Sequence, residues 1–349
     1  MKTIAIFSKF FGYDVGGAER SVIELLKGEE AQGHRIVAVV VADMKGFATE
    51  VRRMQLPSTW EVRECRLPAL LSKFRFVEYA VNRAAAGRVA DLLQDVDVLY
   101  AYGTMAPAAI NAFKGQTVYL ARDEYGVGWN VNYHRGLRRL VQAAYNITQT
   151  PLRALWLRDL KAAASRSRLI GNSQFIATEL GKLAPGNPVE IQHSQVDVSS
   201  LRAVYDAAVA KQADPKGVVI IGDSVLKGGD IARRVAARMP DITFYLFDRT
   251  CQRRHSNGNL HFMPWQTPGE VYSRALVTMV PSRWAEAFPR AIIESQLLGI
   301  PVVASARGGI PEAIRDKSML VDDIEDPSQW ARRLQAHFSS TTAPQGTTH

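Results

Sequence analysis

The segment Pro281–Ile314 reads PSRWAEAFPRAIIESQLLGIPVVASARGGIPEAI, and within it seven residues separate Glu286 from Glu294. The pattern is an apolar strand, a polar loop, a helix opened by Pro289 and stopped by Gly299, a strand ending at Ala304, and a Gly308-Gly309 turn into another helix. Proline suits the first helical position, where no N–H is needed. Glu286 then lies in the loop, and Glu294 lies ~1.4 turns into the helix. A helix N-terminus offers unpaired amides and partial positive charge, which suit phosphate. An ionised carboxylate only accepts hydrogen bonds, so it suits sugar and ribose hydroxyls. Two glutamates at this spacing are by themselves ordinary surface; the strand, the proline-led helix and the glycine turn make them a candidate site.

The elements that must hold these residues alternate. Apolar runs at Thr3–Ser8, Arg35–Ala42, Val96–Ala101, Thr117–Ala121 and Arg168–Asn172 predict strands, with helices over Ala18–Gln32 and Phe76–Leu93. The second half predicts strands at Gly217–Ile221, Ile242–Phe247, Asn259–Met263, Val277–Val280, Val302–Ala304 and Met319–Val321. Its helices fall at Asp230–Arg238, Pro268–Arg274, Pro289–Leu298, Ile310–Arg315 and Pro327–Phe338. Short continuous apolar strands between helices imply parallel sheets covered on both faces. The expected fold class is α/β, with two Rossmann-like doubly wound domains facing across a cleft. The first domain is placed at 1–197 and the second at 198–338, with a linker around Val198–Lys216 and a disordered tail at 339–349. In such sheets ligands bind beyond the carboxyl ends of the strands.

The 349 residues carry a net charge of +9 and only two cysteines. The positive balance favours anionic partners. Two distant cysteines exclude a disulfide framework and a zinc site built on cysteine pairs. The longest strongly apolar run, Ile36–Ala42, is far too short to span a membrane. The apolar start ends at Lys9, too early for a signal peptide. A cytoplasmic location is expected.

The Pro281–Ile314 segment resembles the C-terminal motif of the family 4, or group 1, retaining glycosyltransferases, which have the GT-B fold. Glu286 and Glu294 match the family's glutamate pair, and the likeness runs on through Gly299-Ile-Pro-Val-Val-Ala-Ser and Gly308-Gly309-Ile-Pro-Glu312. Gly16-Gly17-Ala-Glu-Arg resembles the family's donor-side loop; by itself it is an ordinary strand-to-helix turn. Gly171-Asn-Ser173 resembles a late strand end of the first domain, where Ser173 also reads as a helix cap. Val196-Asp197 matches the end of the interdomain segment, with Gln195 in place of the usual glycine. Gly222 and Lys227-Gly228-Gly229 resemble the element whose Arg and Lys neutralise the donor diphosphate.

The resemblance implies transfer of a sugar, with retention, from a nucleotide diphosphate sugar to a saccharide, lipid-linked or other hydroxyl acceptor, in polysaccharide, glycolipid or glycoconjugate synthesis. It implies no cofactor beyond that co-substrate and no metal; Asp-x-Asp triplets and histidine clusters are also taken to be absent. Glu286, Lys227 and Asp123 are the expected catalytic residues. Gly16, Gly17, Gly222, Lys227, Arg290, Ala291 and Glu294 are the expected donor-binding residues. Three positions depart from the family pattern. Asp223 stands where an arginine is expected, so Arg290 or Arg249 is a substitute cation. Pro289 replaces a glycine and removes an amide, leaving those of Arg290 and Ala291. Arg122 replaces a histidine, with His134 downstream.

Residues Arg135–Arg168 hold eight Lys and Arg against one acid, with Leu152, Leu155, Trp156 and Leu160 interleaved. This composition suits an anionic membrane surface, hence a peripheral location; it also suits a helix lining the site. No nucleic-acid module is present, and no nucleic-acid partner is expected. The rival readings are a catalytically weak nucleotide-sugar-binding protein, a phosphorylase or epimerase on the same fold, and a membrane-associated scaffold.

Overall fold

The computed structural model describes residues 1–14, 16–42, 53–68, 75–122 and 137–339. The chain divides into two compact units, Met1–Gln195 and Val196–His349.

In the first unit the strands are β1 (Thr3–Phe7), β2 (Arg35–Val41), β3 (Glu61–Cys65), β4 (Val98–Tyr102), β5 (Gln116–Ala121), β6 (Arg168–Gly171) and β7 (Val189–Ile191). They form one sheet in the order β3-β2-β1-β4-β5-β6-β7. The pairings among the described residues are parallel, with Ile4 opposite both Ile36 and Val98. The helices are α1 (Gly17–Ala31), α2 (Arg75–Gly87), α3 (Ala106–Ala112), α4 (Leu137–Thr148), α5 (Thr150–Arg166) and α6 (Gln174–Gly181). β1, β2 and β4 are nearly all apolar because both faces are covered, and their residues are buried almost throughout.

The second unit holds β8 (Gly217–Ile221), β9 (Phe244–Asp248), β10 (His255–Asn257), β11 (Leu260–Pro264), β12 (Ala275–Val280), β13 (Val302–Ser305) and β14 (Leu320–Val321). Their order is β10-β11-β9-β8-β12-β13-β14. Only β10 runs antiparallel among the described pairs. Its helices are α7 (Val198–Val209), α8 (Gly229–Ala236), α9 (Pro268–Tyr272), α10 (Arg290–Leu297), α11 (Ile310–Ala313) and α12 (Pro327–Ser339). Distinct apolar clusters pack on this sheet, one around Val218, Ile231, Phe244 and Trp330, another around Val219, Tyr245, Tyr272 and Ile300.

The alternation predicted from sequence gives both doubly wound sheets. Three strands escape it: β3, β7 and β10, each at or next to the rim of its sheet. Such strands face water, so EVREC alternates charge with apolar residues and HSN is wholly exposed. The stretch read as a linker contains α7, whose N-terminus is capped by Asp197 Oδ1 on the Ser200 amide at 2.9 Å. Leu201 sits in the same apolar cluster as Tyr272, so α7 belongs to the second core.

In each sheet the first strand of the unit lies centrally, and chain order reverses beside it. The reversals fall between β1 and β4 and between β8 and β12. Loops leaving adjacent strands there diverge to opposite faces and open a crevice for a ligand.

Candidate active site

The loops after β8 and β12 flank the second reversal. Gly222 leaves β8 with φ +95°, a region few side chains tolerate. Gly228 closes the same loop at φ +77°, and a Cβ there would lie 2.0 Å from the Pro281 carbonyl oxygen. The two loops are therefore backbone to backbone. The Leu226 carbonyl accepts the amides of Arg283 (2.9 Å) and Trp284 (3.1 Å).

That contact sets Lys227 against Glu286. Lys227 Nζ lies 2.5 Å from Glu286 Oε1, and Ser282 Oγ donates to the same oxygen at 2.9 Å. The Glu286 carbonyl accepts the Gly309 amide at 2.6 Å, which fastens the loop after β13 as well. Lys227 is about half exposed, whereas Glu286 is largely covered. The structure thus joins the two residues that the sequence assigns to charge compensation and to sugar hydroxyls.

Glu294 is 5% exposed and held on both oxygens. Arg290 reaches Oε1 from Nε (3.0 Å) and Nη2 (2.9 Å), and Tyr272 Oη donates to Oε2 at 3.0 Å. Burial, then the neighbouring Glu294 charge, pushes the Tyr272 phenol well above its ordinary range, so it stays a donor. Arg290 is the i,i+4 partner of Glu294, which differs from a cation aimed solely at phosphate. Pro289 is also placed differently from the sequence expectation. Its extended backbone makes it the cap residue, not the first helical residue. Its carbonyl takes the first helical bond, from the Ile292 amide at 3.1 Å. The Arg290 and Ala291 amides precede that bond at the N-terminus of α10.

Asp223 does not hold Lys227. Its carboxylate pairs with Arg233 at 2.7 Å, and its amide donates to Asp248 Oδ2 at 2.8 Å. A neutralised Asp223 presents less repulsion to an anion than its sequence position suggests. Arg249 stacks over Trp265, 4.9 Å from the ring centroid.

Arg283, inside the motif but not singled out by its sequence, is the tie of the loop. It forks onto Asp230 (2.5 and 2.7 Å) and Glu325 (2.5 and 3.0 Å) and donates to the Val225 carbonyl at 2.9 Å. Its partners lie more than forty residues away on both sides, and no local spacing signals them. Hydrogen bonding to Arg283 holds the Asp230 carboxyl below its ordinary value.

Gly16 and Gly17 lie on the first unit, Gly16 as the extended cap of α1. Ser173 is the cap of α6, accepting the Ile176 amide at 3.2 Å. Asp123 and His134 lie outside the described residues. Arg122 directly follows β5 and is buried. One Asp-x-Asp triplet does occur, Asp95-Val96-Asp97, against an expectation of none. Arg63 forks onto Asp95 at 2.6 and 2.7 Å, and Asp97 accepts the Thr3 amide at 2.8 Å. Among the described residues no three His, Cys, Asp or Glu side chains converge as a metal site.

The basic stretch also differs in detail. Trp156 and Leu160 of α5 are fully buried, and Trp156 Nε1 donates to the Thr104 carbonyl at 3.1 Å. The exposed apolar residues are on α4: Leu137, Leu140, Val141 and Ile147.

Residues 246–343, from the middle of β9 to beyond α12, match the family described as glycosyl transferases group 1. Curated relatives include the D-inositol 3-phosphate glycosyltransferases of Mycolicibacterium vanbaalenii and Mycobacterium sp. strain KMS. They are 29% identical over 63% of this chain and 30% identical over 64% of it, respectively. The matches take in 56% and 57% of those relatives' own length. Among solved structures, Anabaena HepE in complex with UDP and glucose superposes with a TM-score of 0.68 at 17% identity, covering 98% of this chain and 91% of that one. Sucrose-phosphate synthase from Thermosynechococcus elongatus gives 0.70 at 17% identity, covering 97% and 90%. The chain therefore shares the fold of these two proteins, and the region that matches the group 1 model contains both glutamates.

Proposed function

We propose that the chain transfers a sugar from a nucleotide diphosphate sugar to an acceptor hydroxyl, with retention of configuration. The observation that carries this reading is the Lys227–Glu286 pair, set between the loops at the β8/β12 reversal and beside the N-terminus of α10. The match of residues 246–343 to the group 1 glycosyl transferase model and the names of the relatives support it.

The site residues then have separable roles. Lys227 and the first amides of α10 compensate charge on the departing diphosphate as the bond to the sugar C1 breaks. Glu286, released by Lys227, accepts hydrogen bonds from donor-sugar hydroxyls. Glu294, oriented by Arg290 and Tyr272, faces the ribose. Gly16 and Gly17 are assigned to donor binding, where the absence of side chains leaves the backbone accessible. Asp123 assists at the reacting carbon. The acceptor oxygen bonds to C1 while its proton leaves with the diphosphate, and no metal is required if Lys227 and the helix supply the charge.

The test is calorimetric titration with nucleoside diphosphates and their sugars, followed by product analysis. Binding with steady sugar transfer supports the proposal. Tight binding without turnover favours a sugar-nucleotide-binding protein, which the Asp223 substitution would explain. Phosphorolysis or epimerised product would replace transferase chemistry.

Peripheral membrane contact is a further part of this proposal, carried by α4. Leu137, Leu140, Val141 and Ile147 are each more than 60% exposed, and the first three follow i, i+3, i+4 spacing. An apolar stripe beside basic residues suits the interface of an anionic bilayer. No described helix is long and apolar enough to cross a membrane. Sedimentation with phosphatidylglycerol vesicles should show binding that Leu140→Glu with Val141→Glu abolishes; equal binding by that variant rejects α4 as the contact.

A further inference from the structure

Arg122 stands at the carboxyl end of β5, the strand next to β4 and so one removed from the first unit's chain reversal. It is 7% exposed. A guanidinium offers five donors in a rigid fork and keeps its charge when buried. The contact made by this one is long: Nη1 to the Gln192 carbonyl at 3.4 Å. Its Nε is buried without a hydrogen-bond partner. Among the described residues no carboxylate pairs with it, and the titratable neighbour acting on it is the Tyr102 phenol, neutral at physiological pH. In the same unit Lys9 pairs with Glu78, and Asp159 with Arg83.

The next strand end repeats the pattern. Asn172, 4% exposed, donates from Nδ2 to the Arg122 carbonyl at 3.4 Å, while its Oδ1 is buried without a partner. The backbone carbonyl of Asn172 lies 3.1 Å from His193 Nδ1. Two neighbouring strand ends therefore carry a guanidinium whose Nε has no partner and an amide oxygen that has none, at the edge of the sheet where open α/β sheets bind ligands. Buried polar groups are nearly always satisfied, and an uncompensated buried charge is strongly unfavourable.

We propose that Arg122 receives an anionic group, carboxylate or phosphate, on the acceptor, with Asn172 Oδ1 accepting a hydroxyl of the same molecule. This rests on the glycosyl-transfer reading for the word acceptor; the anion site itself rests on Arg122 and Asn172. A bidentate pair to the guanidinium is the contact that such a fork fits best. No bond is made or broken at Arg122, so it is a binding residue that sets which acceptors enter.

The test is thermal unfolding of the full chain with glucose 6-phosphate, glucuronate, inorganic phosphate, neutral glucose and, separately, UDP. The wild type and the Arg122→Met and Arg122→Lys variants are compared. Arg122→Met replaces an unpaired buried charge by an apolar chain of similar length, so without ligand its midpoint should equal or exceed wild type. The wild type should respond to the anionic sugars more than to glucose. Arg122→Met should weaken that response at least about tenfold in apparent affinity, and Arg122→Lys should restore part of it. A response to glucose 6-phosphate and inorganic phosphate alone assigns phosphate; a response to glucuronate as well assigns anions in general. Anionic sugars no better than glucose, or an Arg122→Met response equal to wild type, overturns the proposal. The UDP arm separates the two readings. UDP stabilisation with no anion response leaves the transferase and removes the Arg122 site; the reverse leaves an anion site and removes the transferase.

Discussion

Glu286 and Glu294 share a motif, but they sit in different environments and should fail differently. Glu286→Gln keeps the shape and loses the charge that faces Lys227, so it should lower turnover with little loss of stability. Glu294→Gln removes the negative charge that Arg290 meets inside a covered site. It should weaken nucleotide binding by ~1.5–3 kcal/mol, the range for hydrogen bonds to charged groups. Calorimetry and steady-state kinetics on both variants check this, and wild-type behaviour in both rejects the motif assignment. Lys227→Ala should cut turnover by ten- to a thousandfold, or ~1.4–4 kcal/mol. The pairing of Glu294 with Arg290 was open to sequence inspection, since an i,i+4 spacing brings helical side chains together. The Asp223–Arg233 and Arg283–Asp230 pairs were not, because loops of undetermined path separate the partners. Cys65 is buried, and burial raises its thiol to about 11. Native labelling with iodoacetamide should therefore modify Cys251 and spare Cys65 until the chain unfolds.

The loops after β8 and β12 act as one element because Arg283 and Gly228 fix them to each other. Gly228→Ala must find space 2.0 Å from the Pro281 carbonyl oxygen while holding φ +77°. The backbone strain alone is ~1–3 kcal/mol, and the Lys227–Glu286 geometry should be lost with it. A variant that unfolds at the wild-type temperature and turns over normally would disprove the close approach. Asp230 gives the latch a pH dependence. Its folded carboxyl value lies below the ordinary one, chiefly through hydrogen bonds from Arg283. Its stabilisation is thus complete above about pH 4 and fades as pH falls through the lowered value. The stability difference between wild type and Asp230→Asn should be constant from pH 5 to 7 and shrink below about pH 4. The central strands of both sheets were legible because each is a continuous apolar run. The strands at or near the rims were not, being short, exposed and partly charged. In α5 the i, i+4, i+7, i+8 spacing of Trp156, Leu160, Ala163 and Ala164 is a core pattern, which the surrounding arginines obscured.

The two units each close their own apolar core on a seven-stranded sheet. A nucleotide that binds the loops after β8 and β12 stabilises the second unit directly. At a hundredfold excess over its dissociation constant it should add ~2.7 kcal/mol to that unit. Hydrogen exchange read by peptide mass should slow first in segments 222–230 and 281–290. Uniform slowing of the first unit alone would place the nucleotide elsewhere.

Lys227 already has a tethered counter-ion in Glu286, so on the proposed reading an arriving diphosphate would have to exchange places with a carboxylate. The loop then works as an ion exchanger loaded in advance with a weak, covalently attached ion. Chloride and sulfate gain little by displacing it, which keeps stray anions out. On the proposed reading, a donor would succeed because its sugar would give the displaced carboxylate new hydroxyl partners. Donor affinity should accordingly fall only gently with ionic strength. In Glu286→Gln the exchanger is stripped of its own ion, and simple sulfate should become an effective competitor.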